Sequence, residues 1–141
     1  MRHIDQIVVH CTASPDFQDI GVKEIDKWHK DRGWSQIGYH YVVRRNGEIE
    51  RGRPERLQGA HAKGANQTSI GIVWVGVNEC DPVQYKKMIG LINYLRGKYN
   101  IKLENVLGHN EAVKTHKTCP NLNMNRLRAE LIFIQPKPEV R

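Results

Sequence analysis

Apolar residues Ile4, Ile7, Val8 and Val9 form a short run that stops at the polar segment His10-Cys11-Thr12-Ala13-Ser14 and at Pro15. This predicts a buried strand over Ile4–His10, with His10 at its end. The period then changes. Val22, Ile25, Trp28 and His29 recur at helical spacing, with Lys and Asp between them and Gly33 as a stop, so Val22–Arg32 reads as an amphipathic helix. Tyr39–Arg44 and Glu48–Arg51 flank Asn46-Gly47, a pair suited to a tight turn, which predicts an antiparallel hairpin. Ser69–Val75 is apolar on both faces and so reads as a central strand. Asp81 as cap and Pro82 at the first helical position open a second helix, whose stripe is Tyr85, Met88, Ile89, Ile92, Leu95 and Tyr99. Val106-Leu107 is a short strand that ends just before His109. A loop from Asn110 to Leu122 follows, and Asn123 caps a last helix carrying Leu127 and Leu131. Residues 134–141, with Gln135-Pro136-Lys137-Pro138, are expected to fray. The sum is an α/β chain: one domain over residues 1–141, with a mixed central sheet flanked by about three α-helices.

Composition narrows the class without choosing a function. At 141 residues the chain can bury a core without disulfide staples. No apolar stretch approaches the ~20 residues of a membrane span. The run Ile7-Val8-Val9 is cut off by His10 before it could form the core of a secretory signal, so the chain is expected to stay cytoplasmic as synthesised. Three cysteines, Cys11, Cys80 and Cys119, at irregular spacing read as thiols rather than a disulfide framework. A net charge of +7 suits nucleic acid, anionic membrane or a polyanionic wall polymer, and equally a plain solvated surface.

The residues that change this picture are histidines and a cysteine. Hydrolytic zinc takes three protein ligands drawn from His, Cys and carboxylates and leaves a fourth position open. His10 and His109 each follow a predicted strand, and Cys119 lies in the loop after His109, so one sheet edge can gather all three. Taken singly, each is better read as a hydrogen-bonded core histidine or a small buried cysteine. Six segments in fixed order weigh against that reading. They are Val9-His10-Cys11-Thr12-Ala13-Ser14, Gly38-Tyr39-His40-Tyr41, His61-Ala62-Lys63-Gly64-Ala65-Asn66, Ser69-Ile70-Gly71-Ile72, Gly108-His109-Asn110-Glu111 and Lys117-Thr118-Cys119-Pro120. Together they resemble the zinc amidases that cut N-acetylmuramoyl-L-alanine bonds, a family that includes the lysozyme of the T-seven bacteriophage and the animal peptidoglycan recognition proteins. The resemblance runs from about Ile7 to Leu131.

That resemblance implies one Zn2+ ion in a cleft at the sheet edge, held by His10, His109 and Cys119. It implies Tyr39 and Lys117 as catalytic side chains and His61 as a substrate-binding residue lining the cleft. The implied substrate is bacterial peptidoglycan, and the implied role that of a phage or prophage endolysin, reaching the wall once the membrane is permeabilised. His40 and Cys11, next to Tyr39 and His10, are expected to face away from the site. Cys80, His116, His3 and His29 carry no assigned role.

Rival readings attach to specific residues. Relatives that have lost the metal-binding cysteine bind peptidoglycan without cutting it, whereas Cys119 and Tyr39 are present here. Two His, one Cys and Met124 superficially match a blue-copper set, but two strong helices do not fit an all-strand copper protein. The phage member of the family holds an RNA polymerase, which makes such a polymerase a candidate protein partner, although fold resemblance does not transfer a partner surface. No specific nucleic-acid motif is evident, and the chain is expected to be a monomer with no membrane partner.

Overall fold

The computed structural model describes residues 2–133, so the expected frayed tail lies outside the described residues. Its elements in chain order are β1 (Gln6–Cys11), α1 (Val22–Asp31), β2 (Tyr41–Val43), β3 (Ile49–Arg51), β4 (Ser69–Trp74), α2 (Pro82–Tyr99), a 3-10 turn (Leu103–Asn105), β5 (Val106–Gly108), α3 (His109–Ala112) and α4 (Met124–Phe133). The five strands form one sheet in the order β3-β2-β4-β1-β5. All neighbours are parallel except the β2–β3 hairpin, which turns on Gly47 at φ +90 as Asn46-Gly47 leads one to expect. β4 is buried along its whole length, because the sheet is covered on both faces there.

The strand period of two divides the core. Ile7, Val9, Tyr41, Val43, Ile70, Ile72 and Trp74 face α2 and α4, meeting Met88, Ile92, Leu95, Leu127 and Leu131. Each fully buried aliphatic chain contributes roughly 2 kcal/mol, so this layer holds most of the fold's stability. On the opposite face Val42, Val73 and Val75 pack on Ile25 of α1 and on Ile37, while Val8 packs on Ala62 and Ala65 of the long loop after β3. Among the described residues no helix is long and apolar enough to cross a membrane.

Two features depart from the sequence expectation. The segment expected to be a loop from Asn110 begins with a one-turn helix, and a 3-10 turn precedes β5, so the described residues hold four α-helices rather than about three. The extra turn forms because Glu111 reaches back: its Oε1 accepts the Gly108 N–H at 2.9 Å. The hairpin ladder is also shorter than Tyr39–Arg44. Gly52 N–H donates to His40 O and Arg53 N–H to Tyr39 O, two consecutive bonds that break the regular alternation and release Tyr39 from the ladder.

Candidate active site

Parallel pairing of β1 with β5 sets Val9 opposite Gly108, so the next residue on each chain is a histidine. His10 and His109 therefore leave the carboxyl ends of adjacent strands, where open α/β sheets offer room for ligands, and their ring centroids lie 4.6 Å apart. Cys119 comes to the same edge on a loop tied down by its backbone. Asn110 N–H donates to Cys119 O at 3.0 Å, and the buried Trp74 indole N–H donates to Pro120 O at 2.9 Å. The thiol itself receives the Cys11 N–H at 3.2 Å. One donor atom from each of His10, His109 and Cys119 lies within 4.8 Å of the others.

Tyr39 reaches this group by a fold-back of the chain after α1. Ile37 N–H donates to Asp26 Oδ1 and Gly38 N–H to His29 Nδ1, both at 2.8 Å, pinning the connection to the helix it has just left. The Tyr39 ring then sits 5.0 Å from that of His10. His61 arrives from the loop after β3, its Nδ1 2.9 Å from His10 Nε2. All six residues singled out from the sequence line one cleft of about 500 Å³, with Lys117 exposed at its rim. A larger hollow of about 640 Å³ beside Leu103, Arg128 and Ile132 has no such convergence of donor atoms.

The electrostatics favour neutral imidazoles. Burial holds His10 well below the usual histidine range, helped by His61 and His109. Burial likewise takes His61 to about 3, and burial together with Lys117 lowers His109. Ring lone pairs are thus available at neutral pH. Burial raises Tyr39, which stays a phenol and a hydrogen-bond donor. The Cys119 thiol is raised by its hydrogen bond with Cys11 and by burial, so a metal must displace its proton on binding.

Residues without a sequence assignment complete the cleft. Arg32, Trp34 and Lys63 line its wall, and the His29 ring lies tilted against that of Trp34 with centroids 4.4 Å apart. Asn66, already within a quoted motif, accepts the N–H groups of His61 and Ala62 through Oδ1, each at 2.8 Å. Its place at the end of a Gly-containing turn is the signal that could have found it. His40 does lie outside the His10, His109 and Cys119 group: its Nδ1 accepts the Gly71 N–H at 3.0 Å and its Nε2 faces Leu57 O at 2.9 Å. Cys11 packs with the α2 and α4 layer but, contrary to the expectation that it faces away from the site, also lines the cleft and meets Cys119 across the strand end. Exposed His116 is not part of the cleft lining, and Cys80 lines a separate hollow with Pro82 and Tyr85.

A five-stranded sheet with two histidines and a cysteine gathered at its carboxyl edge defines an α/β domain with a candidate metal site. Residues 1–122 match the N-acetylmuramoyl-L-alanine amidase family, and the chain belongs to that family. It is 37% identical over 130 residues to the endolysin of Escherichia phage T7, covering 86% of this chain and 83% of that one. It is 36% identical over 133 residues to the endolysin of Enterobacteria phage K11, covering 89% and 85%. Among solved structures it resembles the N-acetylmuramoyl-L-alanine amidase LysC from Clostridium intestinale, with a TM-score of 0.83, 36% identity, and 93% and 87% of the two chains covered.

Proposed function

We propose that the chain hydrolyses the amide bond between the lactyl group of N-acetylmuramic acid and L-alanine in bacterial peptidoglycan, as a zinc-dependent endolysin. The observation that carries this is the convergence of His10, His109 and Cys119 donor atoms within 4.8 Å at the floor of a cleft. The donor set fits zinc: two neutral imidazoles and one thiol able to lose its proton, with no fourth protein donor in the group among the described residues. Bound there, zinc supplies Lewis-acid polarisation of water and of the scissile carbonyl.

The chain's own residues then have separable tasks. Lys117, cationic at the cleft rim, offset by two residues from Cys119, stabilises negative charge developing on the carbonyl oxygen as water adds to its carbon. Tyr39, held as a phenol, donates a hydrogen bond toward the same oxygen or orients the attacking water. Cleavage adds hydroxide to the lactyl carbonyl carbon and a proton to the departing L-alanine amine. Arg32, Trp34 and Lys63 offer cationic and aromatic surface to the glycan and stem peptide.

The test is release of free L-alanine amino termini from purified peptidoglycan. Native protein should release them, chelator treatment should stop release, and added zinc should restore it, while Cys119→Ser should stay inactive with zinc. Zinc-loaded native protein that binds the polymer without releasing amine would instead make this a binding module.

A further inference from the structure

The contact between His10 and His61 is more constrained than a shared wall of the cleft requires. His10 Nε2 and His61 Nδ1 lie 2.9 Å apart, a hydrogen bond in which one of the two nitrogens carries the proton and the other accepts it. If His10 Nε2–H donates, His10 Nδ1 is bare and can bind a metal, and His61 carries its own proton on Nε2. If His61 donates instead, His10 is protonated on Nδ1 and has no free lone pair. The far side of His61 bears on this choice: Nε2 faces the hydroxyl of Ser69, fully buried in β4, at 3.2 Å, where Oγ can accept Nε2–H.

The His61 ring is also caged. A Cβ on Gly59 or on Gly71 would come within 2.6 Å of it, so both positions are kept bare for the imidazole. Asn66 fixes the backbone beneath it. The neighbouring His40 is committed to Gly71 and Leu57 and offers His10 no alternative acceptor.

We propose that His61 is a positioning residue which, backed by Ser69, holds His10 in the tautomer whose Nδ1 is free to bind the metal. This rests on the zinc reading above and assigns His61 to the metal's support rather than to substrate recognition. Outer partners of this kind typically contribute about 10- to 100-fold in metal affinity.

The experiment measures zinc affinity of metal-free protein by competition with a chromophoric chelator, for native protein, Cys119→Ser, His61→Ala, His61→Asn and Ser69→Ala. His61→Ala should bind zinc about 10- to 100-fold more weakly. His61→Asn should recover most of that loss, since asparagine Oδ1 can stand where imidazole Nδ1 accepted. Ser69→Ala should fall between. In 15N-histidine spectra of the zinc-loaded native protein, His10 should carry its proton on Nε2. Native affinity in His61→Ala, or a proton on His10 Nδ1, overturns the relay while leaving the zinc reading intact. Native protein that binds zinc no better than Cys119→Ser removes both.

Discussion

The two sides of the cleft are built on different principles. His10 is carried by a central strand, is 1% exposed, and is hydrogen-bonded to a caged histidine. Cys119 and Lys117 ride a loop whose residues from Lys114 to Thr118 are mostly exposed, and which is held chiefly by backbone bonds to Asn110 and Trp74. Strand-borne groups are placed by the same packing that stabilises the fold, so their geometry comes with the core. Loop-borne groups depend on a few identifiable contacts, each of which can be removed without unfolding the sheet. The strand side thus carries His10 on the packed core, and the loop side brings a thiol and an exposed lysine to the same cleft.

The largest expected effect separates chemistry from structure at the loop. Lys117→Ala should lower kcat/KM on peptidoglycan about 100-fold or more, the usual scale for losing one group that stabilises developing oxyanion charge. Because Lys117 is exposed, the melting temperature and zinc affinity should hardly move. Retention of a tenth of native activity would mean the loop brings no catalytic group. Next in size is the bond that holds the loop down. Trp74→Phe removes the indole donor to Pro120 O and leaves space in a fully buried position, and should cost about 2 kcal/mol in chemical denaturation. Zinc should also bind more weakly, because Cys119 adjoins the freed carbonyl. Unchanged zinc affinity would show the loop to be held by other means.

These two halves were unequally legible in the sequence. Periodicity located every strand and the three long helices, because apolar runs and helical stripes are local signals, and the motif resemblance named His10, Tyr39, His61, His109, Lys117 and Cys119, all of which line the cleft. Long-range contacts escaped. Ser69 reads only as the first residue of a strand, and nothing local says that its hydroxyl meets His61. Trp74 reads as core, and its N–H bond to Pro120 crosses 46 positions. The turn at His109 was missed because a single turn is too short to display a period; its signal is the Glu three residues after Gly108.

That turn gives a smaller prediction. Glu111 accepts Gly108 N–H and both Arg128 nitrogens, at 2.8 and 2.9 Å, and Arg128 also donates to Val106 O, clamping β5 and α4 around the start of α3. Arg128→Met should cost about 1 kcal/mol, discounted because the Glu111 carboxylate is partly solvated. It should weaken zinc binding less than Trp74→Phe does, since His109 still follows directly on β5, which stays paired with β1.

The smallest effect is expected far from the His10, His109 and Cys119 group, on the strand side, where Glu55 ties the loop that carries His61 to the rest of the fold. Its carboxylate accepts from the hydroxyls of Tyr41 on β2 and Tyr99 on α2 and from Lys98. Burial pushes Glu55 up, but these three donors outweigh it and hold the carboxyl below its usual range. A depressed folded value means that the charge contributes stability above the unfolded value of about 4.3, and that this contribution is lost as pH falls through the folded value. Glu55→Gln should therefore lower stability by about 1 kcal/mol at neutral pH, and the gap to native protein should close as pH drops below about 4. Zinc affinity at neutral pH should not follow, because Asn66, Gly59 and Gly71 fix His61 locally. If Glu55→Gln weakens zinc binding as much as it weakens the fold, the strand side is no more self-contained than the loop, and the contrast between the two halves of the cleft fails.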